Sequence, residues 1–535
     1  MKIINLLILT VILQLNVFSQ DLVRGPYLQS LSPTSVKVMY RTSEPVMSDV
    51  LVSSSVGGDV IYSGTSDSAV TDHVVLIENL NPGSTYYYKI GREDDALTDW
   101  DNKYRFKTIP PNPDKTSFWV TGDFGSKSQK QIDVKNAFIN HVNGEYPDVW
   151  LWLGDNAYDD GKDFEYQERV FTPPFGYDDI LPFLPVYPIP GNHEYNSINA
   201  FAPPPDHAGP YYRIVEVPKR AEAGGVPSYT ELYYSFDYGD VHFVAINSEV
   251  FAYTFFENSV MSDWLKRDLA ANDKLFTVAY WHQPPYSKGS HDSDDFWEVF
   301  MKAMRKNYNP IMDEYGVDLV LCGHSHVYER TGLIRGHYGN SGSFKDEHII
   351  DNEEPFIKYL DGDQPNYGTM YAVVGNSGKT TSDAPGNHPA FIAYDYDQPG
   401  SLLVNVEGNT LNGKYIRGDG TIYDEFNIIK ALQDSSVITN AIDAIIADFN
   451  IYPNPTKDEL NIQFNVKKET PIAIHIYDEA GKTYYSETDI NYSVGNHVKK
   501  LNLADYNIPS GNYIIKFGGG EDGQTWRFDK IVKVE

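Results

Sequence analysis

The chain has 535 residues, 41% hydrophobic and 22% charged, with 74 acidic side chains against 43 basic ones and a formal net charge of −31. This is globular composition, and the length exceeds one ordinary core, so several domains are expected. The charge excludes nucleic acid and anionic membrane as partners, since both require concentrated Lys and Arg to displace counterions; a small anionic substrate stays open, because a bound metal inverts the local sign.

The N-terminus, MKIINLLILTVILQLNVFSQD, sets one lysine before a short apolar run, with Val17 and Ser19 as small residues at a cleavage position. Residues 1–19 therefore read as a secretory signal peptide. Asn5, Gln14 and Asn16 interrupt that run, and no later segment supplies the roughly 20 apolar residues of a membrane span, so no transmembrane segment is expected in the mature chain. Across 20–110 the signal is all β: SVKVMYRTS alternates apolar with polar, and TYYYKI follows the turn sequence LNPGS, as in a small sandwich. The proline-rich IPPNPDKT (109–116) then reads as a linker.

From 115 to 425 the pattern changes to apolar runs that end in polar or turn residues: SFWVTGDFG, DVWLWLGDN, LPVYPIPGNHE, HFVAINSE, FTVAYWHQPP and VDLVLCGHSH. A helix is predicted near Gln129 to Asn143, between the first two. Continuous apolar strands with intervening helices indicate an α/β core whose sheet is covered on both faces. The single cysteine, Cys322, lies in one of these strands, which excludes an intramolecular disulfide and suggests a buried, inert thiol. A helix-prone linker is expected over 426–445, and over 446–535 NIYPNPTKDELNIQF, PIAIHIYDEAGK and SGNYIIKF alternate like a second small β-sandwich.

Five of the α/β runs end in side chains able to hold a metal: Asp123; Asp155 and Tyr158; Asn192 with His193 beside it; His282; and His324 and His326. In α/β sheets the C-terminal ends of parallel strands are where loops converge on a ligand. These candidates exceed the needs of one tetrahedral ion, which suggests two metals bridged by a carboxylate. Mixed oxygen and imidazole donors favour iron, zinc or manganese, and a phenolate ligand favours a strongly Lewis-acidic ion such as Fe(III), since a tyrosine ordinarily ionises near about 10. On a continuing strand His324 and His326 would face the same way and share one ion, but Gly323 ends the strand before either.

The ordered set GDFG, GDNAY, GNHE, a His-bearing strand and GHSH resembles the purple acid phosphatases, within the calcineurin-like metallophosphoesterases. Gly125 stands where most of that superfamily has a histidine, and Tyr158 is the added ligand of the purple variant. The resemblance continues through LYYSFDYGDVHFVAINSE, HVYERT and GTMYAVVGNSGK, and the preceding sandwich is similar to the fibronectin-III-like domain of these enzymes. One departure is Ala279, Tyr280, Trp281 before His282, where a valine usually opens the motif. The resemblance implies an α/β (α+β) sandwich of two mixed sheets flanked by helices, with all-β domains at both termini. It implies Fe(III) on Asp123, Tyr158 and His326, a divalent ion (Zn, Mn or Fe) on Asn192, His282 and His324, and Asp155 bridging the two, with no other cofactor. A metal-bound hydroxide would attack a small phosphomonoester, with His193 and, more approximately, His291 orienting phosphate and protonating the leaving alkoxide. A phosphodiesterase or nucleotide hydrolase with the same site is the alternative within this class; a surface binding or adhesion protein with a relic phosphatase domain is the alternative from another.

His242 reads as structural and Glu194 as a group that orients ligands. The acidic insert between Ser341 and Tyr367 reads as a solvated loop, with a lid or a calcium site as other uses of such a run. The C-terminal motifs resemble the sorting domain of type IX secretion; together with the signal peptide this implies that secretion machinery as a partner, and a secreted or surface-attached protein exported through the periplasm of a Gram-negative bacterium.

Overall fold

The computed structural model describes residues 21–66, 68–92, 95–201, 206–361, 365–381, 386–432, 446–478, 482–519 and 525–534. The signal peptide expected over 1–19 and residues 433–445 of the expected linker lie outside them. The chain divides into two compact units between Ala431 and Leu432.

The first unit opens with two antiparallel sheets, one of Leu22–Gln29, Val36–Val46 and Val70–Ile77, the other built around Asp49–Ser53 and Thr85–Arg92. Alternation in VKVMYR sends Val36, Val38 and Tyr40 into the sandwich core. Met39, on the opposite face, is also buried, because the remainder of the unit covers that face. Tyr27 Oη donates to the Ile214 carbonyl at 2.9 Å and Tyr88 Oη to the Pro182 carbonyl at 2.7 Å. Arg41 grips both carboxylate oxygens of Asp163, at 2.6 and 2.8 Å.

The rest of the unit is built on two seven-stranded mixed sheets. Strands β1 (Lys115–Thr121), β2 (Val149–Leu153) and β3 (Val186–Ile189) run parallel in the first sheet, which continues from β1 through Gly400–Glu407, Thr410–Arg417, Ile422–Ala431 and Phe356–Tyr359. In the second sheet Val241–Ala245, β4 (Phe276–Trp281), β5 (Leu319–Cys322) and β6 (Met370–Val374) are parallel neighbours. The predicted helix is α1 (Gln129–Val142), capped by the Ser128 side chain, which accepts from the Gln131 N–H, and closed by a left-handed Asn143. Behind the first turn, Trp119 stacks on Phe138 at 3.8 Å and on Trp150 at 4.3 Å. Such pairs contribute about 0.5–1.5 kcal/mol each beyond their burial, and they fix the ends of β1 and β2. Cys322 is buried as expected, and its surroundings push the thiol pKa up.

Two expectations change. The run IIKA, assigned to a helix-prone linker, belongs to the strand Ile422–Ala431; Phe426, Ile428 and Lys430 are buried at every second position, a period of two that a helical reading overlooks. Within the acidic insert, Phe356–Tyr359 is not a solvated loop but a strand pairing parallel with Ile422–Ala431. Its Lys358 is buried and, with Lys430, grips Asp318 Oδ1 at 2.7 and 2.5 Å. The second unit packs Thr470–Asp478, Gly511–Gly519 and their neighbours against Glu459–Val466 and its neighbours, around its own core of Ile462, Phe464, Ile474, Ile515 and Phe517.

His242 is structural, as expected. It is buried between Asp237 Oδ1 at 2.6 Å and Asp268 Oδ2 at 2.9 Å. Burial alone would lower its pKa, but the two carboxylates outweigh burial and raise it to about 9. A raised folded-state pKa stabilises fully below the unfolded value near about 6.5 and is lost as pH rises through about 9. Relative to His242→Gln, the wild type is therefore expected to be more stable by on the order of 3 kcal/mol at about pH 6, with the gap narrowing towards about pH 9.5. Urea unfolding of both proteins across that range measures it, and a constant gap would contradict the assignment.

Candidate metal centre

Each of five parallel strands hands one or more polar side chains to the same edge of the fold. Asp123 follows β1, Asp155 and Tyr158 follow β2, Asn192 and His193 follow β3, His282 follows β4, and His324 and His326 follow β5. Asp123, Asp155 and His324 have φ of +56°, +49° and +67°, left-handed values unusual outside glycine and typical of functional turns. This turn cancels strand alternation after Cys322, so His324 and His326 point to different neighbours.

His324 Nδ1 lies 2.9 Å from Asn192 Oδ1, which is also 3.0 Å from His282 Nε2. His326 Nε2 lies 3.2 Å from Tyr158 Oη and 3.6 Å from Asp123 Oδ1, and Tyr158 Oη donates to Asp123 Oδ1 at 2.8 Å. Asp155 sits between the groups: its Oδ1 is 3.4 Å from His282 Nε2, and Asp123, Asp155 and His282 offer ligand atoms all within 4.8 Å of one another. All seven expected ligands are thus brought together. His193 stands at the rim, its N–H donating to Asp155 Oδ1 at 2.9 Å and its Nδ1 to the Asp159 carbonyl at 2.5 Å. His291 stands on the other side, its ring 4.0 Å from that of His324.

Two carboxylates complete the site. Glu194, flagged in the sequence only as an orienting group, is buried and accepts from the N–H groups of Asp155, Asn156, Ala157 and Gly191 at 2.9, 2.9, 3.2 and 2.7 Å, and from Tyr166 Oη at 3.1 Å. One side chain thereby joins the turns after β2 and β3. Burial, and then Asp155, push its carboxyl up to about 8 against the pull of those donors. Glu298 was not singled out by sequence, because it follows an irregular loop with no spacing signal. It accepts from His291 Nδ1 at 2.6 Å and lies 3.4 Å from His324 Nε2. Burial would raise its carboxyl, but these two imidazoles hold it well below the usual range.

The donor chemistry fits cations. His282 donates Nδ1–H to the Leu153 carbonyl at 2.8 Å, and burial lowers its pKa to about 4. Its Nε2 therefore carries a lone pair aimed at Asn192 Oδ1, itself an acceptor. Burial, then Asp155, push the Asp123 carboxyl well up; burial pushes Asp155 up too, but His282 and His193 bring it down overall. Burial, Asp123 and Asp155 raise the Tyr158 phenol well above its ordinary value. Acceptors crowded this closely repel unless protons or metal ions lie among them. Gly125 shows why a histidine is excluded from the first turn: a Cβ there would lie 1.9 Å from the Asn156 carbonyl oxygen.

Replacing Glu194 with Gln sets an NH2 against backbone N–H donors. This is expected to cost about 2–3 kcal/mol of stability and to lower the metal content of purified protein, with denaturant unfolding and elemental analysis as the readouts.

Residues 116–328 match the calcineurin-like phosphoesterase model, 25–108 the purple acid phosphatase N-terminal domain, and 450–533 the secretion system C-terminal sorting domain. The chain is similar to purple acid phosphatase 23 of Arabidopsis thaliana, at 28% identity over 49% of this chain and 58% of that protein. It is also similar to acid phosphatase type 7 of Danio rerio, at 24% identity over 69% of this chain and 80% of that one. The chain spans 58% and 50% of the length of two Arabidopsis relatives, purple acid phosphatases 23 and 15. Among solved structures, a purple acid phosphatase from yellow lupin seeds superposes with a TM-score of 0.58 at 18% identity, covering 76% of this chain and 74% of that one, which shows a shared fold. Matches to a purple acid phosphatase N-terminal domain and a calcineurin-like phosphoesterase thus follow one another along the first unit, and a match to a secretion sorting domain follows them.

Proposed function

We propose that the protein is a secreted acid phosphatase that hydrolyses phosphomonoesters at a binuclear metal centre. The observation that carries this reading is the sorting of seven donors into two groups that meet at Asp155. In this reading Asp123, Tyr158 and His326 hold Fe(III), Asn192, His282 and His324 hold a divalent Zn, Mn or Fe, and Asp155 serves both. When bound, the ions supply Lewis acidity towards phosphoryl oxygens and water.

The chain's own groups arrange the rest. His193, pinned at its backbone to Asp155 and at Nδ1 to the Asp159 carbonyl, holds Nε2 3.7 Å from Asp155 Oδ2, in position to orient phosphate beside that carboxylate. Glu298 fixes the His291 ring and its Nδ1 proton, and the second nitrogen is then the group assigned to protonate the leaving alkoxide. The similarity to acid phosphatases favours monoesters over diesters. The sorting domain supports export through type IX machinery, by way of the periplasm of a Gram-negative bacterium; no helix among the described residues is long and apolar enough to cross a membrane.

Metal-replete protein is expected to show a visible tyrosinate-to-Fe(III) band that Tyr158→Phe abolishes. A colourless protein containing only zinc or manganese would reject the iron assignment. With p-nitrophenyl phosphate, Asp155→Ala is expected to lower kcat by roughly a thousandfold or more; near-normal turnover would reject the two-metal reading. A higher kcat/KM for this monoester than for the bis ester separates phosphatase from phosphodiesterase.

A further inference from the structure

The loop after β6, residues 375–381, forms one wall of the centre. It is wedged between the turn that carries Asp123 and the turn that carries His324 and His326: a Cβ at Gly375 would lie 2.1 Å from the Ser325 carbonyl oxygen, and one at Gly378 would lie 2.2 Å from that of Phe124. Only glycine permits both approaches. Hydrogen bonds secure the loop on each side. Ser377 N donates to the Gly122 carbonyl at 3.2 Å, Ser126 and Ser128 both donate to the Gly378 carbonyl at 2.8 Å, and Thr381 N donates to the His326 carbonyl at 3.2 Å.

Lys379 is carried on this rigid segment. Its ammonium lies 3.2 Å from the centre of the Tyr158 ring, and His193 packs against the same ring with centroids 4.5 Å apart. Of the other cations in this part of the molecule, Lys127 pairs with Glu168 and Lys288 with Asp292 and Asp294, Lys130 donates to Thr380 Oγ1 on the same loop, and Arg169 lies 3.9 Å from Asp159 and 4.0 Å from Glu165. Among the described residues, Lys379 Nζ makes no hydrogen bond or ion pair, and the side chain is half-buried. Burial lowers the Lys379 pKa against the attraction of Asp123, Asp155 and Asp159, and the three N–H donors of its ammonium stay open to solvent or to an arriving anion.

We propose that Lys379 is a substrate-binding residue whose ammonium pairs with a non-bridging oxygen of the phosphoryl group on the Tyr158 side of the centre. The inference rests on the phosphatase reading above. Lysine suits this task as a compact point charge with three donors and no acceptor, and the ring beneath it holds the ammonium without neutralising it. Together with His193 it gives a phosphoryl dianion two protein contacts beside Tyr158, where the surrounding Asp123, Asp155 and Asp159 would otherwise repel it.

The test is calorimetric titration of inorganic phosphate into metal-replete wild type, Lys379→Met and Lys379→Arg, with metal content and visible spectrum recorded for each. Lys379→Met is expected to weaken phosphate binding roughly tenfold or more, the scale of one charge-assisted contact, with both metals retained, while Lys379→Arg stays within about threefold of wild type. Unchanged phosphate affinity in Lys379→Met overturns the proposal, as does a loss that tracks loss of metal or a shifted charge-transfer band with phosphate affinity intact. Wild-type protein that binds metal but neither binds phosphate nor cleaves any ester would instead remove the phosphatase reading on which the proposal rests.

Discussion

Burying Asp123 and Asp155 side by side, among imidazole and amide lone pairs, is the electrostatic constraint around which the fold is organised. Two neighbouring carboxylates in a protein interior cannot both stay ionised without compensation. The first compensation is the Asp123 carboxyl itself, pushed well up by burial and by Asp155. Others are the His324 N–H on Asp123 Oδ2 and the His193 N–H on Asp155 Oδ1. Bound cations would supply the remainder, so the polypeptide is shaped to be completed by metal.

Such crowding tolerates little slack, and the supporting structure is correspondingly over-determined. Glu194 gathers donors from two turns into one carboxylate, and the loop after β6 is nailed to the two turns it separates. At the far end of the strands, His242 and Asp318 each anchor a buried charge cluster. Rigid elements on both sides of the ligand turns hold the left-handed φ values of Asp123, Asp155 and His324, which isolated chain would abandon.

Much of this was legible in the sequence because strand-end chemistry is local. Apolar runs ending in Gly-Asp, Gly-Asn-His or Gly-His-x-His reveal both the strand and its exit, and the five exits do meet. What was hidden is what depends on tertiary neighbours. Glu298 reaches His291 and His324 from beyond an irregular loop, and no periodicity marks it. Phe356–Tyr359 looked like part of an acidic loop because its burial comes from a strand far along the chain. The length of the last strand was misjudged because IIKA reads equally well as helix or sheet until its partner is known. His324 and His326 illustrate the boundary between the two cases: the motif was plain, but the divergence of its two rings follows from a backbone turn at His324 that residue types alone do not encode.

The two all-β ends of the chain differ in their obligations. The N-terminal sandwich shares one continuous apolar core with the phosphoesterase region, and Arg24 and Arg41 both reach Asp163 across the junction. Trimming it away would expose that core and strand Asp163, so it is as much a wall of the phosphoesterase-like region as a domain beside it. The second unit encloses a separate core. A core of its own makes the second unit a cooperative folding element in its own right, which can unfold and refold without opening the apolar core of the first.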